Sequence, residues 1–295
     1  MKKACFILSL ILFFHSQLVL GSQDKGEKDE PFYQQLTRAI IRLETFDNKP
    51  VGTAFFVHHS KDNKYFYLVT ARHVAYPPKP LKARVPSQRK DTGQTEIIEL
   101  RIPSDKWIFH PNNEKYVEIK GKKEKISPVD VAIVKLPGIK DRRIRTTGYC
   151  PNESDDRKKN QFFEEEPMPP MHVMVWGFPV DLGFTLEEQR PLVRLGCVAM
   201  KAKEPFIRTD GILRDEKVFL LDAPIFPGNS GGPVFSYPVF GEPKLLGLIS
   251  ASNIPLNFAI AEPASRIAET MDVAFSSDVR VEGAWFLIND KSTNP

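Results

Sequence analysis

A serine set between glycines is where spacing first suggests chemistry: Pro227-Gly228-Asn229-Ser230-Gly231-Gly232-Pro233-Val234. Flanking glycines let the backbone approach another group closely and aim several N–H groups into one small space, which suits a nucleophile beside an oxyanion hole. A serine hydroxyl is a poor nucleophile at its own pKa and needs a base within hydrogen-bond reach. An imidazole with a pKa of about 7 can take the proton and later give it to a leaving amine. His73, in Thr70-Ala71-Arg72-His73-Val74 directly after an apolar, β-rich run, is the candidate base. Asp130 heads the apolar Asp130-Val131-Ala132-Ile133-Val134. A carboxylate there loses hydration at a cost of several kcal/mol unless something donates to it; the His73 N–H would, and the carboxylate would in turn fix the imidazole tautomer. The structural alternatives are a salt bridge from Asp130 to a lysine and an ordinary tight turn at Gly231-Gly232.

Histidine order narrows the choice. A strand-to-helix nucleophile elbow of the form G-x-S-x-G needs its histidine after the serine, whereas His15, His58, His59, His73, His110 and His172 all precede Ser230. What remains is the order His, Asp, Ser, with gaps of 130 − 73 = 57 and 230 − 130 = 100 residues. His58, His59, His110 and His172 keep a structural reading.

These three motifs together resemble those of the trypsin-like serine proteases, and within them the HtrA type, whose motifs run T-A-x-H-V, D-V/I-A-I/L-V/I and G-N-S-G-G. Val173-Met174-Val175-Trp176-Gly177-Phe178-Pro179 with Leu182-Gly183 is similar to the HtrA strand and its G-x-P-x-G-L-G loop, and Leu195-Gly196-Cys197-Val198 to S-G-I-V. Asp222-Ala223-Pro224-Ile225-Phe226-Pro227 is similar to D-A-A-I-N-P, and Asn257-Phe258-Ala259-Ile260-Ala261 to G-F-A-I-P. The resemblance spans roughly residues 51–271 and departs from the pattern at Phe226, in place of asparagine, and at Arg72, before the histidine.

The resemblance implies an all-β chain of two six-stranded antiparallel β-barrels of the trypsin/chymotrypsin type, with short N- and C-terminal helices and the active site between the barrels. It implies His73, Asp130 and Ser230 as the catalytic residues and Gly228, Asn229 and Ser230 as the oxyanion hole. Pro224, Ile225 and Phe226 become one wall of the primary pocket, and Ser250, Ala251 and Ser252 the other, pairing with substrate backbone as an added strand. No acid stands at Pro224, so a lysine or arginine would enter without a counter-charge, and Phe226 with Ser252 should narrow the opening. Cleavage after Val, Ala, Ile or Leu is the expectation. Asn229 stands where digestive trypsins carry an aspartate that pairs with a new N-terminus, so activation by N-terminal cleavage is not expected. After residue 271 only 295 − 271 = 24 residues remain, too few for the PDZ module common in HtrA proteins. A catalytically silent protein-binding module on the same fold, using long charged loops at 77–128 and 140–170, is the rival reading.

The elements that must position these residues come from periodicity. Met1-Lys2-Lys3, an apolar run to Phe14 and the small-residue site Val19-Leu20-Gly21 read as a cleaved signal peptide over 1–21, hence secreted or periplasmic, with an uncleaved anchor as the alternative. Residues 22–48 form a polar leader and a helix, with Leu36, Ile40 and Leu43 on one face. From Val51 the period becomes two, giving a hairpin over 51–57 and 65–70 that delivers His73 from a strand end. Residues 49–150 are assigned to the first barrel, 151–170 to a charged, Pro-rich linker, 171–275 to the second barrel and a closing helix, and 276–295 to a tail. Second-barrel strands are expected at 172–176, 192–200, 218–221, 234–236, 245–250 and 258–261.

With 41% hydrophobic and 26% charged residues, the chain can bury an ample core. Losing Lys2 and Lys3 with the signal lowers the formal charge from +4 to 4 − 2 = +2, which points away from nucleic acid. No metal-ligand spacing occurs, so neither metal nor cofactor is expected. Polypeptide substrates are the expected partners, with homo-oligomers possible and no stable membrane insertion. Cys5 leaves with the signal; Cys150 and Cys197 remain, either as a disulfide or as two thiols.

Overall fold

The structure is a computed structural model describing residues 32–112, 115–119, 121–139, 142–149, 161–163, 165–180, 190–202, 206–207, 213–214, 217–237, 242–253 and 257–287. The signal-peptide reading, Cys150 and the charge runs at 155–159 fall outside these residues.

The first sheet starts before residue 49. Helix α1 (Phe32–Ala39) ends where the β-branched pair Ile40-Ile41 opens strand β1 (Ile40–Glu44), whose five residues are all buried. The sequence expectation of one helix through Leu43 fails here because β1 is paired on both edges, and tertiary pairing overrides a helical period. Strands β2 (Pro50–His59) and β3 (Tyr65–Thr70) form the expected hairpin, in the register Ala54↔Thr70 and Phe56↔Leu68. Thr70 hands the chain to a single turn, α2 (Arg72–Ala75), which carries His73. Then come β4 (Leu81–Arg89), β5 (Thr95–Ile102), β6 (Ile108–Phe109), a separate hairpin of β7 (Lys115–Ile119) and β8 (Lys122–Ile126), and β9 (Ala132–Pro137). Short strands β10 (Arg142–Arg143) and β11 (Thr147–Tyr149) pair with β4 and β2.

The second unit is a closed barrel. Its strands are β12 (His172–Gly177), β13 (Leu192–Lys201), β16 (Phe219–Asp222), β17 (Pro233–Ser236), β18 (Leu245–Asn253) and β19 (Phe258–Pro263), in the order β12-β13-β16-β19-β18-β17. A small ribbon, β14 (Phe206–Ile207) with β15 (Leu213–Arg214), is inserted between β13 and β16. All six strands expected from the sequence are present. Period-two alternation sorts their side chains: Val173 and Val175 enter the barrel with Phe219, Leu221, Ala259 and Ala261, while Met174 and Trp176 join the core of the first sheet. After Pro263, helix α3 (Ala264–Ser276) buries Ala264, Ile267, Met271 and Ala274 on one face and packs on β9 and β18.

The all-β architecture holds, with one correction to its first half. Among the described residues that unit is not a closed six-stranded barrel but a ten-stranded half-barrel sheet ordered β20-β5-β4-β1-β2-β3-β9-β6, with β10 and β11 beside this path. The strand β20 (Trp285–Leu287), from the region read as a tail, occupies the free edge of β5. An unpaired edge is thereby covered by the chain's own C-terminal segment rather than by barrel closure. Cys197, half-buried on β13, is a free thiol.

Candidate active site

His73, Asp130 and Ser230 come from three different places in the fold. His73 sits on the turn after β3, Asp130 lies two residues before β9, and Ser230 is in the loop before β17. The His73 and Asp130 side chains meet, with Nδ1 of the imidazole 2.7 Å from Asp130 Oδ2. The backbone N–H of His73 donates to Asp130 Oδ1 at 2.8 Å, so the carboxylate grips both the ring and the main chain of the histidine.

Asp130 is only 5% exposed. Burial opposes its ionisation most strongly. The side-chain hydrogen bond and charge of His73, the Ser250 hydroxyl and the His73 N–H outweigh it, holding the carboxyl below its ordinary range. With the carboxylate accepting at Nδ1, the imidazole proton stays there and Nε2 is left as the basic nitrogen.

The serine loop docks against the first sheet through Thr53 of β2. The Thr53 N–H donates to the Ser230 carbonyl at 2.8 Å, and its hydroxyl donates to the Gly228 carbonyl at 2.7 Å while accepting the Phe178 N–H at 3.0 Å. The Thr70 hydroxyl donates to the Thr53 carbonyl at 2.7 Å. Glycine is required at Gly231, where φ is 81° and a Cβ would overlap both Thr70 Oγ1 and the Thr53 carbonyl oxygen. Gly228, at φ 94°, lies equally close to the Phe178 carbonyl. Ser230 is thus tied by its carbonyl to Thr53, whose own carbonyl accepts the hydroxyl of Thr70, three residues before His73. Its hydroxyl is hydrogen-bonded to no described residue.

Around Ser230, the Gly228 and Ser230 N–H groups donate to no described residue; Gly228 is buried and Ser230 half-buried. Asn229 differs from the expectation. Its N–H donates to the Phe226 carbonyl at 3.1 Å, closing a tight turn, and its side chain is buried against Gly177. It shapes the loop rather than donating into the hole.

The expected pocket residues divide. Ile225 does not line a cleft; it is buried in the barrel core with Val175, Val198 and Leu221, because it faces inward ahead of the serine turn. Ser250 is 2% exposed and donates its hydroxyl to Asp130 Oδ2 at 2.6 Å, so its side chain serves the carboxylate and not the pocket. A β-bulge explains the direction: the β18–β19 register shifts between Ile249 and Ala251, turning Ser250 out of the ladder toward Asp130. No sequence signal marks that bulge. Pro224 and Ser252 are half-buried, and Ala251 packs on the small cluster of Ala202, Val218 and Ile260. Phe226, 37% exposed, carries the Arg194 guanidinium 4.5 Å from its ring centroid, placing a cation next to the serine loop.

The family model described as "Trypsin-like peptidase domain" matches residues 52–238. Among solved structures, the chain is similar to the Rv3671c protease from M. tuberculosis in its active form, at 14% identity and a TM-score of 0.46, covering 89% of this chain and 91% of that one. It is also similar to the MamO protease domain from Magnetospirillum magneticum, at 17% identity and a TM-score of 0.45, covering 80% and 97%. Deg5 is similar at 16% identity and a TM-score of 0.46, covering 80% and 88%. Among curated proteins, none matches the chain.

Proposed function

Since the chain belongs to the trypsin-like peptidase family, we propose that it is an active serine endopeptidase working through an acyl-enzyme on Ser230. The observation that carries this reading is the His73–Asp130 pair, held at 2.7 Å, with a serine loop whose Gly228 and Ser230 N–H groups donate to no described residue. His73 Nε2 takes the Ser230 proton as the hydroxyl attacks the scissile carbonyl, the two N–H groups hold the oxyanion, and the imidazolium returns its proton to the leaving amine. Water activated by the same nitrogen then releases the acyl group. The charged N-terminus and apolar run of residues 1–21 support export to a secreted or periplasmic location.

Incubation of the mature protein with a fluorophosphonate probe should label Ser230. Folded protein labelled no more than a Ser230→Ala control would instead establish the binding-module reading. For specificity, Pro224 offers no counter-charge and Arg194 on Phe226 adds a repelling one. Cut sites in a peptide-library digest should follow small or medium apolar residues. A preference for Lys or Arg before the cut refutes that assignment.

A further inference from the structure

We infer that Glu262 is a positioning residue for the catalytic aspartate, gripping the Asp130 main chain from the other barrel; this rests on the protease reading above. Glu262 is the second-last residue of β19, paired with Leu248 of β18. Its neighbours Ala259 and Ala261 fill the barrel, so alternation turns Glu262 outward, toward the first sheet. There it is 3% exposed, and its Oε1 accepts the N–H of Asp130 at 3.0 Å.

That N–H needs such a partner. Asp130 precedes β9 and is not part of its ladder, and at 5% exposure its amide has no ready access to water. A buried N–H without an acceptor is costly, so the segment adopts the backbone conformation that meets the Glu262 carboxylate. Once the Asp130 main chain is fixed, the side chain has few rotamers left. Ser250 then holds Oδ2 and the His73 N–H holds Oδ1. Two groups of the barrel, Glu262 on the amide and Ser250 on the carboxylate, therefore set an aspartate that belongs to the other sheet. The sequence marks Glu262 only as the residue before a helix-opening proline.

The test compares Glu262→Gln, which keeps a carbonyl acceptor at the same reach, with Glu262→Leu, which removes it, in the full mature chain. Two readouts are used: the second-order rate of Ser230 labelling by fluorophosphonate, and the downfield proton resonance of the His73 Nδ1–H shared with Asp130. Glu262→Gln is expected to label within about threefold of wild type with the resonance kept. Glu262→Leu is expected to label at least about tenfold more slowly, with the resonance displaced or lost. Wild-type labelling and an unmoved resonance in Glu262→Leu overturn the inference, as does a Gln variant as impaired as the Leu variant. If Glu262→Leu does not fold, Glu262→Asp decides, because it withdraws the acceptor by about one bond length; slow labelling supports the role and a wild-type rate overturns it. Should wild-type protein resist the probe while showing the resonance, the protease reading falls, and movement of the resonance in the variants still judges Glu262.

Discussion

Replacing Asp130 by asparagine changes one oxygen to an amide nitrogen, and the donors around that side chain decide which tautomer His73 then adopts. Asp130 accepts three donors: the His73 N–H at Oδ1 (2.8 Å), and the His73 Nδ1–H (2.7 Å) and Ser250 hydroxyl (2.6 Å) at Oδ2. An asparagine has two orientations. With its oxygen toward the His73 N–H, its NH2 faces Nδ1 and the Ser250 oxygen, both of which can accept, so no two donors are set against each other. The imidazole proton must then move to Nε2, the atom that should be the base. The flipped amide keeps the useful tautomer but sets its NH2 against the His73 N–H, donor against donor, in a buried site. Two mismatched or lost hydrogen bonds cost about 1–3 kcal/mol each, so the competent form lies about 2–6 kcal/mol above the other. At ~1.4 kcal/mol per factor of ten, labelling and peptide hydrolysis should fall by about 30-fold to 10⁴, the upper end matching the ~10⁴ loss that the same change causes in a digestive serine protease. Stopped-flow labelling of Ser230, with circular dichroism to confirm the fold, measures it. Near-wild-type turnover in folded Asp130→Asn would mean that another acid, such as Asp105, orients the base, and the tautomer argument would be wrong.

Thr53→Val keeps the shape of the side chain but removes the donor to the Gly228 carbonyl and the acceptor of the Phe178 N–H. With two buried groups stranded, stability should drop by about 2–4 kcal/mol and labelling should slow because the Gly228 N–H is no longer held; denaturant unfolding and probe kinetics check both, and unchanged stability refutes the account. The pH dependence comes from Asp130, whose carboxyl is lowered in the folded state. Its stabilisation is fully present above the ordinary unfolded value of about 3.9 and is lost as pH falls through the lower folded value. Acid titration should show Asp130→Asn losing that part of the acid sensitivity, and equal acid-side slopes in the two proteins contradict it.

The His73–Asp130 pairing and the six barrel strands are legible in the sequence because both are local signals. His73, Asp130 and Ser230 sit in short motifs whose order excludes a strand-to-helix nucleophile elbow, and Val173 to Trp176 is the short apolar run of a strand covered on both faces. What stays hidden depends on pairing between distant segments. β1 reads as the end of a helix until β2 and β4 are known to lie on either side of it, and the closing of the β5 edge by Trp285–Leu287 has no local sign. Ser250 reads as a pocket residue because motif spacing says where a residue lies along a strand and not which way a bulge turns it. Ile225 misleads for a related reason: one residue of register exchanges core for cleft.

Thr53 makes the stability of the fold and the placement of the serine loop hard to separate. Its N–H, hydroxyl and carbonyl bond respectively to Ser230, to Gly228 and Phe178, and to Thr70, three residues before His73. Each bond adds only about 0.5–1.5 kcal/mol to stability while formed, but stranding a buried partner costs about 1–3 kcal/mol. A partial shift of the serine loop would leave several such groups unpaired at once, so small displacements are disfavoured more strongly than the individual bonds suggest. Asp130 adds to this coupling, since its carboxylate is held by Ser250 and its amide by Glu262, both from the barrel, while His73 comes from the sheet. Loss of geometry at the site should therefore coincide with separation of the sheet from the barrel. Labelling of Ser230 and global unfolding should then share one midpoint in denaturant, whereas a loop held only by local turns would lose its reactivity first.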